Sequence, residues 1–143
     1  MSYLKKNLET GNVNLAKINV DEELLDVLFE VAMLGISRSY FDQAKRILMD
    51  SLALQPERGR VLIGLGLYCI ASKQFDDAVQ LFKDLLNQNP KNEYAKVHLG
   101  LAYWHLKKFD EAKKTLDEVI SDKGDQSTVM LARAILDEMK VAA

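Results

Sequence analysis

Few side chains in this sequence are of the kinds that perform chemistry. Among its 143 residues are two histidines, His98 and His105, and one cysteine, Cys69. The histidines stand seven apart on a predicted helix, about 10 Å along its axis. Two-point metal binding on a helix favours a spacing of four. Cys69 lies in the apolar run Val61–Ala71 with no cation close in sequence. That is the setting of an inert buried thiol, not of a thiolate nucleophile. Trp104 and Tyr94 could line a small-molecule pocket, but aromatics at helical spacing belong more often to a core or a protein contact. Lys107, Lys108, Lys113 and Lys114 cluster around a predicted turn and the next helix, which reads as a solvated face rather than a phosphate track. No glycine-rich phosphate loop and no set of acid, base and nucleophile can be assembled. The sequence therefore points away from an enzyme, and no metal or cofactor is expected.

Composition agrees. Hydrophobic residues make up 48% and charged residues 28%, and the formal net charge is −2. A nucleic-acid module normally carries a basic excess. A lone cysteine has no internal disulfide partner and fits a reducing, cytoplasmic setting. No stretch approaches 18 consecutive apolar residues, so no membrane-spanning helix is expected.

The elements that position these residues recur every 34 positions. Ala44, Ala78 and Ala112 keep that step, as do Phe41-Asp42, Phe75-Asp76 and Phe109-Asp110. Leu48, Phe82 and Leu116 follow it, and so do Val31-Ala32, Leu65-Gly66 and Leu99-Gly100. Pro56 and Pro90 share a column whose third place is Gly124. Within each unit an apolar run at helical spacing gives way to a polar break and then a second run. The spacing predicts helices over 22–37, 41–54, 59–72, 75–88, 93–106 and 109–121. A seventh, over about 126–140, should cap the last repeat through Val129, Leu131, Ala134, Ile135 and Met139, leaving Arg133, Asp137, Glu138 and Lys140 outside. The alanine column marks a close helix approach. Asp42, Asp76 and Asp110 meet the positive ends of their helices.

These columns resemble the tetratricopeptide repeat. The resemblance covers three units, 25–58, 59–92 and 93–126, with Ala32 in place of the usual glycine in the first and Gly124 in place of proline in the third. It implies an all-α superhelix of three helix-turn-helix repeats plus the cap, a repeat domain over 21–143, and an N-terminal extension over 1–20 whose structure the sequence leaves undecided. It also implies that the first helix of each unit lines a concave groove. The partner-facing residues would then be Phe29, Met33 and Ile36 in the first unit. Arg60, Ile63, Gly64, Leu67 and Ile70 follow in the second, and Tyr94, Val97, His98, Leu101 and Trp104 in the third. Arg60 would be the groove's only fixed positive charge, and Gly64 would leave a hole in its floor for a partner's side chain. Such an apolar face marks a binding surface for an apolar or amphipathic segment. The alternative is that residues 1–20 or the C-terminal helix fill it.

The family's carboxylate clamp for heat-shock-protein tails needs cationic and amide side chains. Phe29, Met33, Gly64, Tyr94 and His98 stand at those places and cannot hold two carboxylates. Small tetratricopeptide chaperones of type III secretion fit better. The stretch 28–35, followed by Tyr40 to Leu48, resembles the opening helices of the needle-subunit chaperones. That resemblance implies a needle or translocator subunit held by its amphipathic segment and a small helical co-chaperone. Self-association when the partner is absent is expected from the shared apolar surface of Phe29, Met33, Ile63, Leu67, Val97, Leu101 and Trp104. A general scaffold or assembly factor is the alternative.

Overall fold

A computed structural model describes residues 21–55 and 59–142, and the chain folds as an all-α repeat array. Its helices are α1 (Glu22–Ser37), α2 (Phe41–Leu54), α3 (Gly59–Ala71), α4 (Phe75–Gln88), α5 (Glu93–His105), α6 (Phe109–Ser121) and α7 (Gln126–Val141). The expected bounds agree with these to within one residue at every end. The N-terminal extension and Pro56 lie outside the described residues.

Where their caps are described, the first and second helices of a repeat begin differently. At α1, α5 and α7 a polar side chain caps the first turn: Asp21 accepts from Glu23 N at 3.0 Å, Asn92 from Ala95 N at 3.1 Å, and Asp125 from Ser127 N at 3.0 Å. Such caps satisfy amides that the helix itself leaves without acceptors. At α2, α4 and α6 the cap positions are Tyr40, Gln74 and Lys108, and none makes a side-chain cap bond. Acidic residues in the first turn, Asp42, Asp76 and Asp110 among them, complement the helix dipole there instead.

The reason lies in the preceding turn. Ser39, Lys73 and Lys107, each 34 apart, adopt left-handed backbone with φ of 65°, 62° and 60°. The next amide then reaches back across the turn: Tyr40 N to Gly35 O at 2.8 Å, Gln74 N to Cys69 O at 2.7 Å, and Lys108 N to Tyr103 O at 2.9 Å. This is the Schellman closure, and it reverses the chain in two residues. A non-glycine residue in that conformation costs roughly 1 kcal/mol, and the same closure recurs in all three units.

Close packing follows from the small columns. Ala44, Ala78 and Ala112 are buried. A Cβ at Gly66 would overlap the Phe82 ring, and one at Gly100 would stand 2.6 Å from Leu116 Cγ. Ala78→Leu would overpack this contact, at a cost of about 1–3 kcal/mol. Beyond sequential neighbours, α1 touches α3, α3 touches α5 and α5 touches α7, so the first helices of the units form one layer that α7 extends.

One detail of α7 differs from expectation. Its buried residues are Thr128, Ala132 and Ile135, whereas Leu131 and Ala134 face outward. The burial stripe is set by a threonine that polarity alone assigns to the surface. The Thr128 hydroxyl is satisfied in place, donating to Glu93 Oε2 at 2.9 Å and lying 2.8 Å from the Asp125 carbonyl.

Candidate functional site

The layer α1, α3, α5 carries the residues expected to face a partner. Phe29, Met33, Ile36, Ile63 and Ile70 are partly buried and pack against the main core. Leu67 is partly buried at the middle of the layer. Leu101 and Trp104 border a second core cluster, and Trp104 touches both. Tyr94 is half exposed. The face is apolar along its length, yet most of its side chains already have one flank in the core.

Two residues sit otherwise than expected. Val97 is fully buried, in a cluster with Leu116, Val119, Ala132 and Ile135. The last repeat's inner face is covered there by α6 and α7, which puts Val97 beneath the cap. Gly64 is buried and leaves no hole. A Cβ on it would stand 2.8 Å from Leu48 Cδ2, 2.9 Å from Phe29 Cε2 and 3.2 Å from Met33 Cε. The larger first-unit side chains occupy the space that the missing side chain provides.

Charge in the groove is also neutralised from within. Arg60 Nη1 donates to Asp26 Oδ1 at 2.9 Å, and Nη2 donates to Glu30. The guanidinium lies over the Phe29 ring, 4.2 Å from its centroid, a cation–π contact. Asp26, Glu30 and Arg60 stand on adjacent inner-face positions of α1 and α3, so this pairing was readable from the repeat. Further along, His98 donates its Nδ1–H to the Tyr94 carbonyl at 2.7 Å, which leaves Nε2 as the acceptor. Its ring stacks on Phe82 at 5.9 Å. Burial pushes the His98 pKa below its ordinary value, and the Tyr94 bond opposes that only in part. His105 stacks on Phe75 at 4.5 Å and on Trp104 at 5.5 Å.

A second apolar surface escaped the reading of the sequence. On the opposite flank of α1, Leu24, Val27, Val31 and Leu34 are about half exposed, and Tyr40 continues the line. Val31 and Leu34 border a cleft of about 360 Å³ with Gly35, Ala44 and Ile47. The signal was present: Leu24 to Ile36 is apolar in nearly every direction, as Val61 to Ala71 is, yet among the described residues α1 packs only on α2 and α3. Among the described residues, α7 contacts α5 and α6 alone, so the C-terminal helix does not cover the inner face of α1 and α3. No described helix is long and apolar enough to cross a membrane.

Family models described as tetratricopeptide repeat match residues 38–93 and 69–136. No curated protein matches the sequence. Among solved structures, the fold is similar to the type III secretion translocator chaperone SycD of Yersinia enterocolitica. That likeness has a TM-score of 0.74 at 18% identity and covers 92% of this chain and 99% of that one. It is also similar to PcrH from Pseudomonas aeruginosa, with a TM-score of 0.73 at 16% identity over 85% and 96%. PcrH in complex with the chaperone binding region of PopB is similar as well. The first repeat domain of Spaghetti (RPAP3), bound to an HSP90 peptide, gives a TM-score of 0.70 at 21% identity over 87% and 97%.

Proposed function

Because the chain belongs to the tetratricopeptide repeat family, we propose that it is a protein-binding chaperone or adaptor whose concave face holds an apolar or amphipathic segment of a partner. The observation that carries this reading is the set of partly buried apolar residues Phe29, Met33, Ile63, Leu67, Leu101 and Trp104 on α1, α3 and α5, with Arg60 already paired. An apolar face without spare charge suits the buried side of an amphipathic helix. It does not suit phosphates, nor the carboxylates of a heat-shock-protein tail. Catalysis has no residues to carry it.

More specifically, the chain acts as a cytoplasmic type III secretion chaperone of a needle or translocator subunit. Fold similarity to SycD and to PcrH with its bound PopB region supports this. So does the resemblance of residues 28–35 and 40–48 to needle-subunit chaperones. The repeat domain spans 21–143 and residues 1–20 are an extension. The exposed stripe on α1 is the surface through which a small co-chaperone docks, or through which copies associate when the partner is absent. The second reading is a general scaffold or assembly factor, and the similarity to the repeat domain of Spaghetti, bound to an HSP90 peptide, supports protein binding in general rather than secretion.

Purification from the native cell with mass spectrometry separates the two. A small protein bearing an amphipathic helix, retained in stoichiometric amount and raising the melting temperature by mass action, is the expected result. A large complex with no such subunit would support the scaffold instead.

A further inference from the structure

Beside the inner face, at the far end of the array, the ends of α5, α6 and α7 enclose a second cleft of about 660 Å³. Its apolar walls come from Trp104, Phe109, Leu136 and Met139. Phe109 is the clearest sign that the cleft is unfilled. Its counterpart one repeat earlier, Phe75, is covered by the His105 ring at 4.5 Å. The residue 34 after His105 is Met139, which lines the cleft while Phe109 stays half exposed. Apolar surface of this kind gains free energy when a partner covers it.

The rim supplies the second observation. Lys107, Lys113 and Lys140 stand around the opening, against one lining carboxylate, Asp110. Lys113 pairs with Asp117 at 2.6 Å and Lys140 with Asp137 at 3.9 Å, but these are exposed pairs. Exposed pairs of that kind are weak and exchange readily with a ligand. Lys107 is held in place by the left-handed turn. The opposite end of the inner face carries Asp26 and Glu30 around a single Arg60. The two ends thus differ in sign.

We propose that this cleft is a separate anchor site for a partner peptide in which an aromatic or large aliphatic residue is flanked by Asp or Glu. The apolar side chain enters between Trp104, Phe109 and Met139, and the carboxylates meet Lys107, Lys113 and Lys140. The site rests on the protein-binding reading and shares Trp104 with the inner face, but not Phe109, Leu136, Met139 or the rim lysines. Joined to a segment lying along α3, it would fix that segment's direction, acidic end toward α7.

Trp104 is the protein's only tryptophan, so its emission reports on the cleft and on the adjoining end of the inner face, which the Leu67→Asp variant distinguishes. The test titrates the full chain with a capped peptide, Asp-Glu-Phe-Leu-Asp-Glu, and with a second in which lysine replaces every acid. The acidic peptide should change Trp104 emission saturably, and more weakly as salt rises. Lys107→Glu, Lys113→Glu and Lys140→Glu together should weaken it at least tenfold while circular dichroism stays unchanged. Leu67→Asp should leave it unaffected. Equal binding of the lysine peptide, an unaffected triple variant, or saturation by laurate without any peptide binding would each overturn the proposal. Loss on Leu67→Asp would move the peptide to the inner face and overturn the cleft while leaving the groove reading intact.

Discussion

The first and last helices of the array face the same problem and meet it differently. Among the described residues each has a neighbouring unit on one side only, and each buries few side chains: Leu25 and Ala32 in α1, Thr128, Ala132 and Ile135 in α7. Helix α7 turns Arg133, Asp137, Glu138 and Lys140 outward, with Met130, Leu131 and Val141 exposed among them, so its outer face is mixed rather than one apolar stripe. It is fastened to α5 by Glu93, which accepts from Asp125 N at 2.8 Å and from Thr128 Oγ1 at 2.9 Å. Lys96 of α5 also bonds Asp122, at the end of α6, at 3.0 Å. Helix α1 instead presents an open apolar stripe; Glu22 and Glu23 are exposed at its first turn, while Asp26 and Glu30 turn inward to Arg60. A polar outer face is what a cap needs to remain soluble. An apolar one is what a docking surface needs.

The largest effect should come from breaking the last end's fastening. A Cβ at Gly124 would fall on the Glu93 carboxylate. Gly124→Val should therefore displace that group and lose its bonds, lowering stability by about 3 kcal/mol and the melting temperature by roughly 10 °C. Thr128→Val removes one bond and leaves the Asp125 amide in place, so about 1–2 kcal/mol should be lost. Thermal denaturation measures both, and a neutral Gly124→Val would mean that α7 is not held through Glu93.

At the first end the same kind of measurement should show almost nothing. Val31→Glu and Leu34→Glu change exposed positions, and folding stability should move by no more than about 0.5 kcal/mol. What should change is association: sedimentation across a dilution series should show a weaker dimer or oligomer than the parent. A loss of folding stability as large as that from Gly124→Val would erase the distinction between the two ends.

The finest contrast is one of pH. The last repeat holds His98, whose burial lowers its pKa, and the described part of α1 holds no histidine. The unfolded chain binds that proton near pH 6.5 and the folded chain only at lower pH. Stability from neutral His98 is then fully present above pH 6.5 and is lost as pH falls through the folded-state value. Chemical denaturation at stepped pH should show this loss in the parent and a flatter profile in His98→Gln. Equal profiles would mean that the imidazole is solvated.

Much of the fold was legible because it depends on columns spaced 34 apart. Alanine, glycine and the Phe-Asp pair fix where helices meet and where they start, and such constraints act locally. The candidate face was less legible because it depends on which flank each helix shows to its neighbours. Val97 reads as groove by position, yet α6 and α7 cover it. Gly64 reads as a hole, yet Phe29 and Met33 arrive from the preceding unit to fill it. Thr128 reads as surface, but a carboxylate 35 residues earlier makes its burial possible. The stripe on α1 was less legible because an all-apolar helix is buried all round only when it has neighbours on every side.

The central claim is that a partner lies along the inner face of α1, α3 and α5, and Leu67 at its middle tests this most directly. Leu67→Asp places a carboxylate where apolar side chains dock, and burying it unpaired would cost several kcal/mol. In the empty groove the same carboxylate remains hydrated. Gln80→Lys, exposed on α4, serves as the comparison. The measurement is retention of the partner that co-purifies with the parent protein, alongside each variant's melting curve. The account predicts a folded Leu67→Asp protein that releases its partner and a Gln80→Lys protein that keeps it. A Leu67→Asp protein that binds normally, with Gln80→Lys impaired, would contradict it and put the partner on the convex side.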